Sequence, residues 1–164
     1  MLRDIVLGLH PETQFAILPN DVKAFFRDKN VADWLIEEFA IACTSDATTI
    51  GPLSLNAVTS VIENNTGEPY GQFCDSGYLN IGYGPNGDHV AVELATGKML
   101  FVHHDEFWEY FPVLSGVSDP PDVRTRMIDT GMNFSEFWTR ASTDSGFPSD
   151  AYEAEERWPR YLLE

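Results

Sequence analysis

The sequence predicts an α+β fold in which helices flank a central, mainly antiparallel sheet. Segments with two-residue alternation gather in the middle of the chain, and apolar residues at helical spacing lie towards both ends. The 164 residues fit a single domain spanning 1–164. With 43% hydrophobic and 13% aromatic residues, the chain has ample material for a core.

Helices are predicted in the first third of the chain from the spacing of apolar residues. Asn20 is the expected N-cap of the first, whose apolar stripe holds Val22, Phe25 and Phe26. A second helix is expected after Asn30, and a third, shorter one before the turn residues 64–67. Their apolar positions are Val31, Trp34, Leu35 and Phe39 for the second, and Leu55, Val58, Val61 and Ile62 for the third.

A β-hairpin is the clearest local feature of the sequence. Residues 90–94 and 99–103 alternate on either side of Thr96-Gly97, a dipeptide that suits a two-residue turn. The resulting register pairs Leu94 with Met99, Val92 with Phe101 and Val90 with His103. This face belongs in the core, and the half-apolar opposite face is expected to be partly covered.

Two helices are predicted near the C-terminus. One begins near Phe134 and carries Phe137 and Trp138, and the other spans about 150–158 with Ser149 as its candidate cap.

The charge balance limits the classes of partner. There are 26 acidic residues against 10 basic ones, a formal net charge of −16. Nucleic acids and anionic membranes attract basic surfaces, so we expect neither as a partner. The excess of acid either steers a basic protein partner or serves solubility alone.

Cysteine spacing and the N-terminus bear on the compartment. Cys43 and Cys74 lie far apart and match no zinc or disulfide pattern. Residues 1–9 carry charges and no long apolar run, unlike a signal peptide or a membrane anchor. We therefore expect a cytoplasmic protein.

No segment predicts catalysis, a cofactor or a functional metal. The glycine-rich residues 82–87 precede a strand instead of a helix, which indicates a turn and not a phosphate-binding loop. In the predicted register His89 lies opposite His104, close to His103 and acidic residues, and this is the only arrangement that suggests a metal-dependent hydrolase. No nucleophile motif accompanies it.

Three stretches of the sequence resemble the SUKH superfamily, which includes fungal cell-wall-synthesis regulators and bacterial immunity proteins. They are the opening Leu18-Pro19-Asn20-Asp21 helix, the central block with Ile81-Gly82, Asn86-Gly87-Asp88 and Thr96-Gly97-Lys98, and the closing segment from Asn133 to Trp138. The likeness covers about 15–140 and leaves a C-terminal helical extension at 143–164. It implies a SUKH-like mixed sheet, no enzymatic activity and binding of a cognate protein, commonly a secreted toxin and often a nuclease.

We predict that the partner binds at the open end of the hairpin and the segment that follows it. Acidic residues supply charge there and aromatic residues could supply anchors. The candidate residues are Tyr83, Asp88, Asp105, Glu106, Trp108 and Glu109. Two alternative functions stay open: a scaffold with a non-toxin partner, and a small metal-dependent hydrolase that uses the histidines near the hairpin end. Two points about the site also stay open: its place could be the tail at 150–164, and the aromatic segment 107–111 could belong to the core.

Overall fold

The computed structural model describes residues 1–67, 70–106 and 123–160. Within these ranges six strands form one antiparallel sheet, in which each strand pairs with the next along the chain. This confirms the predicted α+β fold with its antiparallel sheet. The strands are β1 (Thr48–Ile50), β2 (Leu53–Leu55), β3 (Tyr78–Tyr83), β4 (His89–Glu93), β5 (Lys98–Val102) and β6 (Met127–Asn133). The helices are α1 (Leu2–Leu9), α2 (Asn20–Asp28), α3 (Asp33–Ala42), α4 (Tyr70–Asp75), α5 (Phe134–Thr143) and α6 (Ala151–Glu155).

One face of the sheet forms the main core with α1, α2, α3, α5 and α6. Phe101 of β5 lies in its centre, with ring centroids 5.6 Å from Phe137 and 6.3 Å from Trp158. Each buried aromatic side chain of this kind contributes on the order of 2 kcal/mol through the water it excludes. The C-terminal segment is therefore part of the core, to which Ala151 and Ala154 also belong.

The other face of the sheet carries a smaller core, as its half-apolar composition predicts. Leu100 and Val102 of β5 and Met127 of β6 are buried there beside Phe73 of α4. Tyr70 packs against the edge of this cluster. Helix α4 thus covers part of the sheet face that lies opposite the main core.

The predicted hairpin register is wrong by two residues. Val92 pairs with Met99 and Val90 with Phe101, so the loop spans four residues, 94–97. Gly97 closes this loop at φ 75° and its N–H donates to the Glu93 carbonyl at 2.8 Å. A shift of two residues leaves every side chain on its predicted face, because alternation in a strand has a period of two.

Several element boundaries differ from the sequence prediction. The expected third helix is a pair of short 3₁₀ turns at Val58–Ser60 and Glu63–Asn65, and Leu55 lies in β2. Asn20 is the first residue of α2, and Pro19 occupies the N-cap position. Asp150, not Ser149, caps α6 by accepting the Glu153 N–H. The sequence did not predict α1, α4, β1, β2 or β6.

A β-bulge interrupts the pairing of β3 with β4 at Ile81. Next to it, the buried Asn65 side chain takes the place of a strand partner for Asn80. Its Oδ1 accepts the Asn80 N–H at 2.7 Å, and its Nδ2 donates to the Asn80 carbonyl at 2.8 Å. The Asn80 side chain then reaches His89 Nδ1 at 3.1 Å.

The free edge of β6 is covered by the end of the described chain. Arg160 forms an isolated antiparallel bridge with Ile128, and the Asp129 N–H donates to the Pro159 carbonyl. Covering an edge in this way removes a template for unwanted strand pairing. In the described parts of the chain, no helix is both long and apolar enough to cross a membrane.

Candidate functional site

Asp88 joins three segments at the open end of the hairpin. Its side chain is 0% exposed and accepts four hydrogen bonds. Oδ1 accepts the His104 N–H at 2.9 Å and His104 Nδ1–H at 2.7 Å. Oδ2 accepts Asn86 Nδ2–H at 2.9 Å and the Ala151 N–H at 2.8 Å. One buried carboxylate thereby fixes the β3–β4 turn, the residues after β5 and the start of α6 together.

The hydrogen bonds keep Asp88 ionised. Burial by itself raises the pKa of this carboxyl group, but the hydrogen bonds from His104, Asn86 and Ala151 outweigh it and the pKa falls below its usual value. A charged carboxylate accepts hydrogen bonds only, which matches its four donors. Asp88 is therefore a structural charge and is closed to solvent.

The consecutive residues His103 and His104 lie at the hairpin end and pair with different carboxylates. His104 bridges Asp88 and Asp105, since its Nε2 lies 2.9 Å from Asp105 Oδ1. The Asp105 side chain is 67% exposed and so presents its charge to solvent. His103 is 1% exposed, and its Nε2 lies 3.2 Å from Glu155 Oε2.

Glu106 is held by arginines from two other segments. Arg160 forms a bidentate pair with it, with both N···O distances at 2.8 Å, and Arg126 Nη1 lies 3.3 Å from Glu106 Oε2. Arg160 also pairs with Glu155. Hydrogen bonding from Arg160 is the main reason that the pKa of Glu106 is lowered. This clamp fastens the end of the described chain to the hairpin end.

Tyr152 of α6 stands at the centre of this region. It is 54% exposed, and its ring meets the His103 ring edge-on with centroids 4.6 Å apart. Its neighbours Ala151 and Ala154 are buried, so the helix turns Tyr152 outward. We call the surface formed by Asp105, Glu106, Asp150, Tyr152 and Glu155 the hairpin-end face.

The residues that the sequence analysis predicts as one partner-binding site do not all lie on one surface of the structure. Asp105 and Glu106 lie on the hairpin-end face. Asp88 is buried beneath it, so the expectation of an exposed charge at that position is wrong. Tyr83 is exposed but pairs with His89 on the sheet face that carries Ala91. The remaining two candidates, Trp108 and Glu109, lie outside the described residues, as does the segment 107–111.

The sequence left a site on the tail at 150–164 open as an alternative, but it did not indicate that Tyr152, Glu155 and Arg160 lie beside the hairpin end. The available signal was the pattern of α6, where two small residues at i and i+3 are buried and leave a tyrosine outside. The contact of Tyr152, Glu155 and Arg160 with the hairpin end depends on tertiary packing, which a local sequence pattern does not predict.

The histidines do not form the arrangement that suggested a metal site. His89 pairs with Val102 and not with His104, because the hairpin register differs. Its ring packs edge-on against Tyr70, and burial lowers its pKa to about 4. Among the described side chains, no group of three or more His, Cys, Asp or Glu residues is placed to hold a metal ion.

Neither cysteine has the environment of a nucleophile. Both thiols are free and buried, and burial raises the pKa of Cys43 and raises that of Cys74 to about 11. A reactive cysteine has the opposite shift, since the thiolate is the attacking species. A cleft of about 450 Å³ beside Cys74 is lined by the Lys29–Asp75 ion pair and lies away from the hairpin-end face.

Comparisons of the chain with protein families, with curated proteins and with solved structures find no match in any of the three. The resemblance of its motifs to the SUKH superfamily therefore stays a prediction.

Proposed function

We propose that this protein is a non-enzymatic binding module that neutralises a basic protein partner, in the manner of a bacterial immunity protein. The observation that carries this proposal is the hairpin-end face, on which carboxylates surround an exposed tyrosine. Buried Asp88 and the Glu106–Arg160 clamp hold this face in place. A rigid surface loses little entropy when a partner binds, which favours recognition.

The distribution of cations supports a basic partner. Ion pairs with carboxylates among the residues that the structure describes engage Lys29, Lys98, Arg126, Arg140 and Arg160. Since the chain has 26 acidic residues and only 10 basic ones, most of its carboxylates cannot be matched one to one by a cation. The resulting negative field accelerates association with a positively charged protein.

A nuclease toxin is the partner class that we favour. A nuclease binds phosphates through a basic cleft, and an acidic inhibitor can occupy that cleft. The resemblance to SUKH immunity proteins points the same way. Cytoplasmic location is part of the proposal, since two free thiols suit a reducing compartment.

A capture experiment with the full chain tests this function. The immobilised protein is exposed to lysate of its native host, with an unrelated protein of similar negative charge as the control bait. We expect one basic protein to be retained by the chain alone and, once purified, to lose its nuclease activity when one equivalent of the chain is added. Retention of only non-basic proteins, or full toxin activity in the complex, argues against the proposal. A basic partner with no toxic activity would instead indicate a regulatory scaffold.

A further inference from the structure

We infer that Tyr152 is the anchor of the partner-binding surface, where its ring takes a Lys or Arg side chain of the partner beside Asp105 and Asp150. This inference rests on the proposed function and assigns the partner's chemistry to a particular place. It puts the recognition point on the C-terminal helix α6, outside the stretch 15–140 that resembles a known family.

Tyr152 combines exposure with a fixed orientation. More than half of its side chain is accessible, yet its ring is packed edge-on against the buried ring of His103. His103 is itself held by Glu155, and its buried Nδ1 has no hydrogen-bond partner in the described parts of the chain. Aromatic residues that are already ordered before binding are typical hot spots, because little freedom remains to be lost.

The charges around Tyr152 favour a cation. The pKa of its hydroxyl group is raised, first by reduced hydration and then by the negative charges of Asp105, Asp88, Glu106 and Asp150. Arg126 and Arg160 offset the charges of Glu106 and Glu155, with which they pair. Asp105 and Asp150 also act on the hydroxyl group, and neither pairs with an arginine in the described parts of the chain. Asp105 is 67% exposed, and its charge acts on the Tyr152 hydroxyl group. A Lys or Arg side chain can thus gain a cation–π contact and an ion pair at one point.

Among the residues that the structure describes, the other exposed aromatic side chains lack this combination. Trp34 is 45% exposed, but its ring packs against Phe134 and against Gly97 of the hairpin loop. Tyr83 lies on the opposite sheet face, with His89 as its cross-strand neighbour. Tyr83 therefore provides a matched control for Tyr152: it is also an exposed tyrosine, in a different environment.

A basic peptide locates the surface without knowledge of the partner. Hexa-arginine is titrated into the ¹⁵N-labelled full chain, with hexa-citrulline as the uncharged control of the same shape. We expect the largest amide shifts in residues 103–106 and 150–156, and we expect Tyr152→Ala to reduce them more than Tyr83→Ala does. Shifts that centre on another acidic surface, such as Asp33 and Glu37 of α3, would overturn the inference.

Kinetics with the captured partner test the same residue. Tyr152→Ala should raise the dissociation rate at least about ten-fold, whereas Tyr152→Phe, which keeps the ring, should stay within about two-fold of the wild type. Circular dichroism confirms that each variant is folded. If the partner binds but Tyr152→Ala dissociates like the wild type, the inference fails and the proposed function stands. If the chain binds no basic protein, the proposed function fails, and the peptide titration still decides whether Tyr152 accepts cations.

Discussion

His104 Nδ1 lies 2.7 Å from the fully buried Oδ1 of Asp88, and the same carboxylate accepts the Ala151 N–H through its other oxygen. The two ends of this arrangement are far apart in sequence, since Asp88 and Ala151 are separated by 63 residues. One ionised side chain thus fixes the hairpin end relative to the helix that carries Tyr152. The partner surface that we propose depends on Asp88 for its shape, although the buried Asp88 side chain is not part of that surface.

Replacing Asp88 with asparagine should destabilise the fold. The new NH₂ group replaces an oxygen that accepts two of the four hydrogen bonds, so at least one buried polar group loses its partner. We expect the free energy of unfolding to fall by about 2–4 kcal/mol in urea titrations at pH 7. Asp105→Asn is the matched control, and its exposed position predicts a change within about 0.5 kcal/mol. Equal effects of the two changes would show that Asp88 is not the structural charge described above.

Gly51 should tolerate no side chain, in contrast to another glycine of similar backbone conformation. A Cβ at Gly51 would lie 1.8 Å from the Ala141 carbonyl oxygen, whereas a Cβ at Gly131 would meet nothing within 4 Å. The φ angles are 60° and 68°, so the cost of holding an alanine in the left-handed conformation is nearly the same at the two positions. We expect Gly131→Ala to cost about 1 kcal/mol and Gly51→Ala at least about 2 kcal/mol more, measured by thermal or urea unfolding. Similar losses in both variants would contradict the close approach of the β1–β2 turn to α5.

The sequence predicts the fold class well because alternation reports which face of a strand is buried. The core positions Val92 and Phe101 are predicted correctly although their pairing is not. The pairing depends on loop length, and Thr96-Gly97 fits both a two-residue turn and the end of a four-residue loop. Strands β1 and β2 have three residues each, too few for alternation to stand out.

The candidate site is only partly predictable for a different reason. The acidic residues near the hairpin end are visible in the sequence, but burial decides which of them reach solvent. Asp88 and Asp105 have the same chemistry, yet one is enclosed by four donors and the other is exposed. Tyr152 joins them because α6 packs against the hairpin, where the Asp88–Ala151 hydrogen bond, the His103–Glu155 pair and the burial of Ala151 and Ala154 hold it.

His89 should make stability depend on pH in mildly acidic solution. Its pKa is about 4 in the folded protein, against 6.5 for the ordinary side chain, because burial disfavours the charged ring. Between these values the unfolded chain binds a proton that the folded chain does not, so stability is complete above pH 6.5 and falls as the pH drops towards 4. We expect a loss on the order of 2 kcal/mol from this residue between pH 7 and pH 4.5.

A glutamine at position 89 isolates that contribution. Urea titrations of wild type and His89→Gln at pH 7, 6, 5 and 4.5 should show a shallower decline in the variant, whatever its stability at pH 7. Asp88 does not confuse the comparison, because its lowered pKa makes stability fall only as the pH drops below about 4. Parallel curves for the two proteins would mean that His89 is not held neutral in the folded state.

The Glu106–Arg160 pair should couple the end of the described chain to the hairpin. Both side chains are partly exposed, so we expect a coupling free energy of about 1 kcal/mol in a double-mutant cycle with Glu106→Gln and Arg160→Met. The exposed Arg140–Asp144 pair, at 3.6 Å and four residues apart in α5 and its C-cap, is the control and should give about 0.3 kcal/mol. Both coupling free energies should shrink in 1 M salt, and equal coupling in the two cycles would rule out a special role for the bidentate pair.

If the larger coupling is found, charge reversal at Glu106 perturbs the fold as well as any contact with the partner. Electrostatic steering should therefore be tested at Asp105, whose side chain is 67% exposed and pairs with His104.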